Sequence, residues 1–176
     1  MGCRFSEDKI KGAIKFHGHS CPGLAIGIRA AEYALDEFPS IDKSDLLCIT
    51  ETDMCAVDGI QYLTGCTFGK GNLIHRDFGK AAFSFYNKRN GKGIRLLFSA
   101  ENIPGEDKDS MKARLMSARL ENLFHLQNLN TEPPKGARVL KSQVCESCGE
   151  KTMESRTRRF DGKILCIPCF GTVEQK

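Results

Sequence analysis

The sequence predicts an α+β fold, in which a core domain of helices and antiparallel strands is followed by a small four-cysteine zinc finger. Three observations support this: helical and strand patterns are mixed without regular alternation, a Pro-Pro segment follows the core, and two C-x2-C pairs stand near the end of the chain. The 176 residues suffice for one core domain and one small module. We therefore expect a core over 1–130, a linker over 131–137 and a finger over 138–176.

The composition is that of an ordinary soluble globular protein, with 40% hydrophobic and 27% charged residues. No apolar run is long enough to cross a bilayer, and the polar N-terminus lacks the apolar segment of a signal peptide. We therefore expect a cytoplasmic protein with no membrane partner. Nine cysteines then indicate metal ligands or reactive thiols, because cytosolic reductants oppose structural disulfides.

The predicted core begins with helices. A short helix over Ser6–Lys15 is followed by a segment rich in His, Gly, Cys and Pro that is expected to end it. Pro22 suits the first turn of a second helix, whose apolar positions recur at helical spacing until Pro39 stops it. A third, short helix is expected over Asp58–Thr64, with Asp58 as its N-cap.

Strands make up most of the remaining core. The first is predicted over Leu46–Thr52, and three more are predicted in the segments LIHRDF, AAFSFYN and GIRLLFS, with Asn90-Gly91 as the turn between the last two. A long amphipathic helix over Asp107–Leu126 is expected to close the core. The fold class follows from this mixture of helices and strands.

The C-terminal cysteines have the spacing of a zinc site. Cys145 and Cys148 form one C-x2-C pair, and Cys166 and Cys169 form another after 17 intervening residues. Two such turns bring four sulfurs around one ion and leave no place for water, so the zinc is expected to be structural. Asp161-Gly162 is expected to turn a hairpin between the pairs. Four unrelated thiols or two disulfides are the alternatives.

The segment FHGHSCPG predicts a second metal site. His17, His19 and Cys21 stand at alternate positions, and alternate residues of an extended chain project to the same side. Cys21 also precedes the second helix, where the helix dipole favours the thiolate that binds metals. Three ligands and one open position are typical of a catalytic zinc or a related transition metal.

Further candidates lie around the short third helix. Cys55 precedes it and Cys66 follows it; we rank Cys55 above Cys66 as a ligand, because a two-turn helix separates them by about 10 Å. Asp58 is expected to orient a ligand histidine or to take a proton from metal-bound water. Lys70 lies between two glycines and is a weak candidate for contacting an anionic cofactor.

With FHGHSCPG, CAVDGIQ and TGCTFGKGNL in this order, the chain resembles the family of formylmethanofuran dehydrogenase subunits called FmdE over about residues 11–126. The resemblance implies an α+β core, a homodimer, and a metal pocket at these positions: His17, His19, Cys21, Cys55, Asp58 and Cys66. In methanogens the family name refers to a complex that uses a molybdenum or tungsten pterin cofactor to reduce carbon dioxide onto methanofuran. The C-terminal cysteine pairs resemble the treble-clef zinc finger that some members append.

Three functions remain open from the sequence. The preferred hypothesis is a metal-dependent oxidoreductase, or a subunit of a redox enzyme complex, in one-carbon metabolism linked to molybdopterin, with zinc, or else nickel or iron, in the core. The second is a nonenzymatic adaptor whose finger binds a protein partner or, less favoured, a nucleic acid through Arg156, Arg158 and Arg159. The third is a metal-free enzyme with Cys66 or Cys21 as nucleophile.

Overall fold

The computed structural model describes residues 2–135 and 140–173. The chain divides into two compact units, 1–137 and 138–176. The last residues of the predicted linker, the first two of the predicted finger and the final three of the chain lie outside the described residues. Within the described ranges, none of the helices is long and apolar enough to span a membrane.

Three helices carry the first half of the core. Helix α1 (Glu7–His17) is capped at its start by the Ser6 hydroxyl and ends at Gly18, whose φ of +93° is left-handed. Helix α2 (Pro22–Glu37) confirms the predicted helix between the two prolines. Helix α3 (Ala56–Thr64) starts two residues earlier than predicted. The prediction that Asp58 caps α3 is wrong, because Cys55 occupies the cap position and Asp58 lies inside the first turn.

A five-stranded mixed sheet forms the second layer. Its strands are β1 (Leu46–Thr50), β2 (Leu73–His75), β3 (Ala82–Asn87), β4 (Gly93–Phe98) and β5 (Phe124–Leu129), in the spatial order β2-β1-β3-β4-β5. The β1–β2 pair is parallel, and the other pairs are antiparallel. The predicted turn at Asn90-Gly91 does connect β3 to β4, and Gly91 takes the left-handed conformation there. The α+β prediction is confirmed.

The main hydrophobic core lies between the helices and one face of this sheet. It includes Ile60 of α3 and Phe83, Phe85 and Leu96 of the sheet, all fully buried. Because aromatic and aliphatic side chains of this size each gain about 1.5–3 kcal/mol on burial, this layer holds α2 and α3 firmly against the sheet. The packing of α2 and α3 against the sheet also fixes the positions of the N-termini of these two helices.

The predicted helix over Asp107–Leu126 is wrong in its second half. Helix α4 (Lys108–Ser117) and a single turn α5 (Leu120–Leu123) precede β5, which pairs with β4 along its whole length. The backbone opens at Ala118, where ψ is 159°. Pairing with β4 and burial of Phe124 override the local helical preference, because side-chain packing and strand pairing outweigh propensities of a few tenths of a kcal/mol.

The second unit contains two hairpins and a helix. Strands β6 (Ser142–Val144) and β7 (Lys151–Met153) pair around the first cysteine turn, and a 3-10 turn leads to β8 (Thr157–Phe160) and β9 (Lys163–Cys166). Helix α6 (Ile167–Val173) begins directly after β9. Asp161 and Gly162 have φ values of 47° and 74°, as the tight hairpin predicted for this dipeptide requires.

Candidate metal centres

The four finger cysteines form a structural zinc-binding site. Their sulfur atoms all lie within 4.8 Å of one another, which is the spacing of a tetrahedral thiolate site. Cys145 and Cys148 stand on the turn after β6, and Cys166 and Cys169 stand at the end of β9 and in α6. This arrangement of a knuckle, a hairpin and a helix is the expected treble clef.

Backbone amides prepare one of these sulfurs for metal binding. The Cys166 amide donates to the Cys145 sulfur over 3.3 Å. Backbone hydrogen bonds from Cys148 and Cys166 lower the pKa of Cys145 to about 6. The thiolate is the form that binds zinc, so these hydrogen bonds favour the ligand state near neutral pH.

The core also brings three possible ligands together. His17, His19 and Cys21 each offer one donor atom, and these atoms lie within 4.8 Å of one another. The sulfur of Cys21 is 3.7 Å from Nε2 of His17, and the rings of His17 and His19 are 4.5 Å apart between centroids. Three protein donors of this type fit a transition metal such as zinc and leave one position for another ligand.

The route by which these residues converge differs from the prediction. An extended chain was expected from His17 to Cys21, but His17 belongs to the last turn of α1. Gly18 ends this helix in the left-handed region, where glycine is favoured because it has no Cβ. The chain then reverses so that Cys21 caps α2. A helix end, a short link and a helix start therefore present the three donors.

A carboxylate fixes the orientation of His17. The Nδ1 atom of His17 is 2.7 Å from a carboxylate oxygen of Asp58, and because a carboxylate only accepts hydrogen bonds, Nδ1 carries the proton. Nε2 is then free to bind a metal. Gln61 donates to the other oxygen of Asp58 over 3.3 Å. This is the carboxylate–histidine arrangement that commonly supports a metal ligand, and the roles expected of Asp58 toward a bound metal stay predictions.

Two glycines bring α2 and α3 into unusually close contact. A Cβ on Gly27 would lie 2.0 Å from the backbone oxygen of Ala56, and one on Gly59 would lie 2.9 Å from the backbone nitrogen of Ile28. Real Cβ atoms do not approach backbone so closely, so only glycine fits at these positions. Because the helix backbones touch, the start of α3 with Cys55 and Asp58 lies against the start of α2.

Cys55 adjoins this cluster without joining its three donors. A Cβ on Gly23 would lie 3.6 Å from the Cys55 sulfur and 3.9 Å from the Cys21 sulfur. Burial raises the pKa of the Cys55 thiol, and a hydrogen bond with Cys21 raises it further. Cys55 is therefore a neighbour of the Cys21 sulfur, and its expected role as a ligand stays a prediction.

The structure places Cys66 and Lys70 elsewhere. Cys66 is fully buried, its thiol donates to the Leu46 carbonyl over 3.5 Å, and burial raises its pKa. The amino group of Lys70 is 3.6 Å from the Cβ position of Gly65. Its positive charge lowers the pKa of Cys66, but this effect is smaller than the rise caused by burial. A fully buried thiol in the apolar core is poorly suited to act as a nucleophile on a substrate. Cys66 is therefore a packed core residue, and Lys70 is exposed on the loop that follows it.

The surroundings of the cluster are largely apolar. A cavity of about 50 Å³ beside Cys21 is lined by apolar side chains of α1, α2 and α4, with Lys112 as its charged member. A water molecule takes about 30 Å³ of liquid volume, so this space suits one or two very small molecules. Larger clefts of about 410 and 740 Å³ occur in the same unit, but their lining residues belong to other parts of it.

Two features of this site could not be read from the motifs. Gln61 was not expected to take part, although its place in the same short helix as Asp58 is compatible with the hydrogen bond. The close approach at Gly27 was also missed. Its signal was present in the sequence as Gly23-x3-Gly27, because small residues four apart lie on one helix face and permit close packing.

Comparison with known proteins agrees with this architecture. The family described as "FmdE, Molybdenum formylmethanofuran dehydrogenase operon" matches residues 16–142, and a "Prokaryotic dksA/traR C4-type zinc finger" matches residues 140–175. The crystal structure of a tungsten formylmethanofuran dehydrogenase FmdE-like protein from Syntrophus aciditrophicus superposes with a TM-score of 0.72 at 25% identity, covering 98% of this chain and 96% of that one.

A curated protein is also similar over most of this chain. It is a probable S-adenosyl-L-methionine-binding protein of Archaeoglobus fulgidus, 30% identical over 194 residues, and the match covers 91% of this chain. The same match covers 52% of the relative, so this chain spans about half the length of the relative.

Proposed function

Since the chain belongs to the FmdE family, we propose that its core domain is a metal-dependent oxidoreductase, or a subunit of one, in one-carbon metabolism of the formylmethanofuran type. In this proposal one transition metal ion, preferably zinc, binds His17, His19 and Cys21, while the finger zinc is structural. The likeness to the tungsten formylmethanofuran dehydrogenase FmdE-like protein supports the metabolic context. Partners are then a second copy of this chain and other subunits of a redox complex.

The proposal rests on one observation: the donor atoms of His17, His19 and Cys21 lie together, and the Asp58 carboxylate is hydrogen-bonded to His17. Three nitrogen and sulfur ligands with one open position are the arrangement of a catalytic metal, whereas a fourth protein ligand would close the site. A bound metal would supply Lewis acidity at the open position. The residues of the chain bind the metal, and Asp58 holds His17 in the tautomer that does so.

The apolar cavity beside Cys21 supports a small substrate. Its volume of about 50 Å³ suits a one-carbon molecule better than a cofactor-sized one. Cys21 lines this cavity and is also one of the three donors, so a molecule in the cavity would contact a residue that binds the metal. The low polarity of the walls would limit competition from water.

Metal analysis of the full chain tests the proposal. We expect two equivalents of metal per chain by inductively coupled plasma mass spectrometry, because each four- or three-donor set takes one ion. His19→Ala should lose the core equivalent and Cys148→Ser should lose the finger equivalent. His125→Ala is the matched control, since His125 is exposed on β5. If His19→Ala keeps the same metal content as His125→Ala, the proposed metal site of His17, His19 and Cys21 is refuted.

A second candidate function rests on the exposed β8–β9 hairpin. Arg158, Arg159 and Lys163 are exposed there, and the Phe160 side chain is 43% exposed beside them. Basic side chains next to an exposed aromatic ring are typical of surfaces that bind single-stranded nucleic acid. We rank this adaptor function second, because four zinc-bound thiolates carry a net charge of −2 that offsets part of the basic charge.

Fluorescence anisotropy with a short single-stranded DNA tests the adaptor function. Binding that weakens steeply with salt, and weakens further in Arg158→Ala, would support it. Equal affinity of the wild type and Arg158→Ala at low salt would remove it.

A further inference from the structure

Two thiols face each other at the junction of α2 and α3. Cys21 caps α2 and Cys55 stands at the cap position of α3, and both sulfurs lie within 4 Å of the point where a Cβ on Gly23 would stand. Any side chain larger than hydrogen at Gly23 would stand only 3.0 Å from the Cβ of Cys55. The glycine therefore keeps the space between the two thiols open.

The other cysteines have different environments. The four finger cysteines are grouped around their own site, whereas Cys48 is buried within β1 and Cys66 is buried in the same hydrophobic core. The thiol of Cys3 lies beside Glu32, which raises its pKa after the larger effect of burial. Cys21 and Cys55 are both partly accessible, so a small oxidant can reach the pair.

We propose that Cys21 and Cys55 form a reversible oxidative modification site, at which a peroxide joins the two sulfurs in a disulfide. The thiolate of Cys21 attacks one oxygen of hydrogen peroxide, which breaks the O–O bond and gives a sulfenic acid and a hydroxide; the hydroxide takes the proton that the Cys21 thiol released and becomes the first water. The Cys55 sulfur then attacks the sulfenic sulfur, and a second water leaves with the remaining proton. Two thiols and one peroxide thus yield one disulfide and two waters, and an external dithiol reverses the change.

The disulfide would also control the core metal, and this part rests on the proposed function. A disulfide sulfur has lost the thiolate charge that binds a metal. Oxidation would therefore leave the core site with His17 and His19 alone, which is too few ligands to hold zinc tightly. The modification would couple the oxidation state of the cell to occupancy of the core site.

The contact between α2 and α3 holds the backbone of both cysteines in place. The two cysteines sit at the starts of helices that are fixed by the contacts at Gly27 and Gly59. Forming the bond requires the sulfurs to approach to about 2.05 Å, and we expect rotation about the Cα–Cβ bonds of the two cysteines to bring them together.

Peptide mapping of the zinc-loaded full chain tests this inference. The chain is treated with hydrogen peroxide, free thiols are blocked with iodoacetamide, and the digest is searched for a peptide that links Cys21 to Cys55. We expect this peptide in the wild type and in Cys3→Ser, together with loss of one zinc equivalent to a chromogenic chelator. In Cys55→Ser we expect oxidation to stop at a sulfenic acid on Cys21, trapped by dimedone.

Two results would overturn the inference. One is oxidation of Cys21 in the wild type without a linked peptide, and the other is an equal yield of dimedone adduct in the wild type and in Cys55→Ser. If the untreated wild type holds only the finger zinc, the proposed core metal is refuted. The test of disulfide formation between Cys21 and Cys55 remains valid in that case, because the linked peptide either forms or fails to form in the metal-free core.

Discussion

Replacing Gly27 by alanine tests whether the contact between α2 and α3 builds the core site. Gly27 is buried inside α2, and its missing side chain faces Ala56 at the start of α3. On helix propensity alone, alanine should stabilise α2 by about 1 kcal/mol. The structure predicts that alanine destabilises the fold instead, so the sign of the change in unfolding free energy separates the effect of helix propensity from the effect of packing against α3.

The magnitude follows from the distances around the added methyl group. A Cβ at position 27 would stand 2.0 Å from the backbone oxygen of Ala56 and 2.7 Å from two of its carbons, whereas favourable contacts lie near 3.5–4.0 Å. These neighbours are backbone atoms and cannot rotate away, so the two helices must separate by more than about 1 Å. Overpacking of this kind costs about 1–3 kcal/mol and occasionally more. An approach of 2.0 Å to backbone belongs at the upper end of this range, about 3 kcal/mol, so after the propensity gain of about 1 kcal/mol we expect a net loss of about 2 kcal/mol.

Two quantities are measured on the zinc-loaded chain: the free energy of unfolding in urea, followed by far-ultraviolet circular dichroism, and the affinity of the core for zinc, from competition with a chelator. Both the free energy of unfolding and the zinc affinity should fall in Gly27→Ala, because separation of the helices moves Asp58 away from His17. Gly69→Ala is the matched control: among the described residues, no atom lies within 4 Å of its Cβ position, so a change below about 0.5 kcal/mol is expected. A Gly27→Ala protein that is more stable than the wild type would refute the packing argument.

Three further predictions follow from the same contacts. Asp58→Asn should lower the affinity of the core for zinc by about 10- to 100-fold, measured by chelator competition. Asp53→Asn is the control, because Asp53 is exposed, and it should leave the affinity unchanged. Equal effects of the two substitutions would argue against the orienting role of Asp58. Arg95 lowers the pKa of Glu51 from its ordinary 4.5, so this ion pair stabilises the fold above that pH and its contribution is lost as the pH falls through the lowered pKa. The difference in unfolding free energy between the wild type and Glu51→Gln should therefore shrink from about pH 7 to about pH 3, and a constant difference would contradict this. Cys148→Ser should abolish amide-exchange protection in the β8–β9 hairpin, because zinc supplies most of the folding free energy of so small a unit; retained protection would show that the hairpin folds without metal.

Much of the finger and part of the core site could be predicted from sequence, because their signals are local. The C-x2-C pairs and the turn at Asp161-Gly162 each depend on a few adjacent residues, and so does the helix start at Pro22. The three donors of the core also come from one short segment. Local spacing determines such features, and the rest of the fold has only to accommodate them.

The features that were missed depend on contacts across the sequence. Residues Phe124 to Leu129 join the sheet because β4 is available as a neighbour, and no local pattern shows this. The N-terminal shift of α3 likewise depends on α2, against which it packs. Cys66 was a reasonable candidate by its place after α3, but the turn at Gly65 directs its thiol into the core, where it bonds to the Leu46 carbonyl.

The position of Asp58 shows how one such shift determines chemistry. As an N-cap, its carboxylate would bond to the backbone amides of its own helix. Because α3 begins at Ala56 instead, the carboxylate is released from that role and turns to His17, with Gln61 holding its second oxygen. The start of α3 is in turn set by the contact of Ala56 with Gly27. Close packing at Gly27 in α2 is therefore linked to whether this carboxylate caps its own helix or bonds to His17.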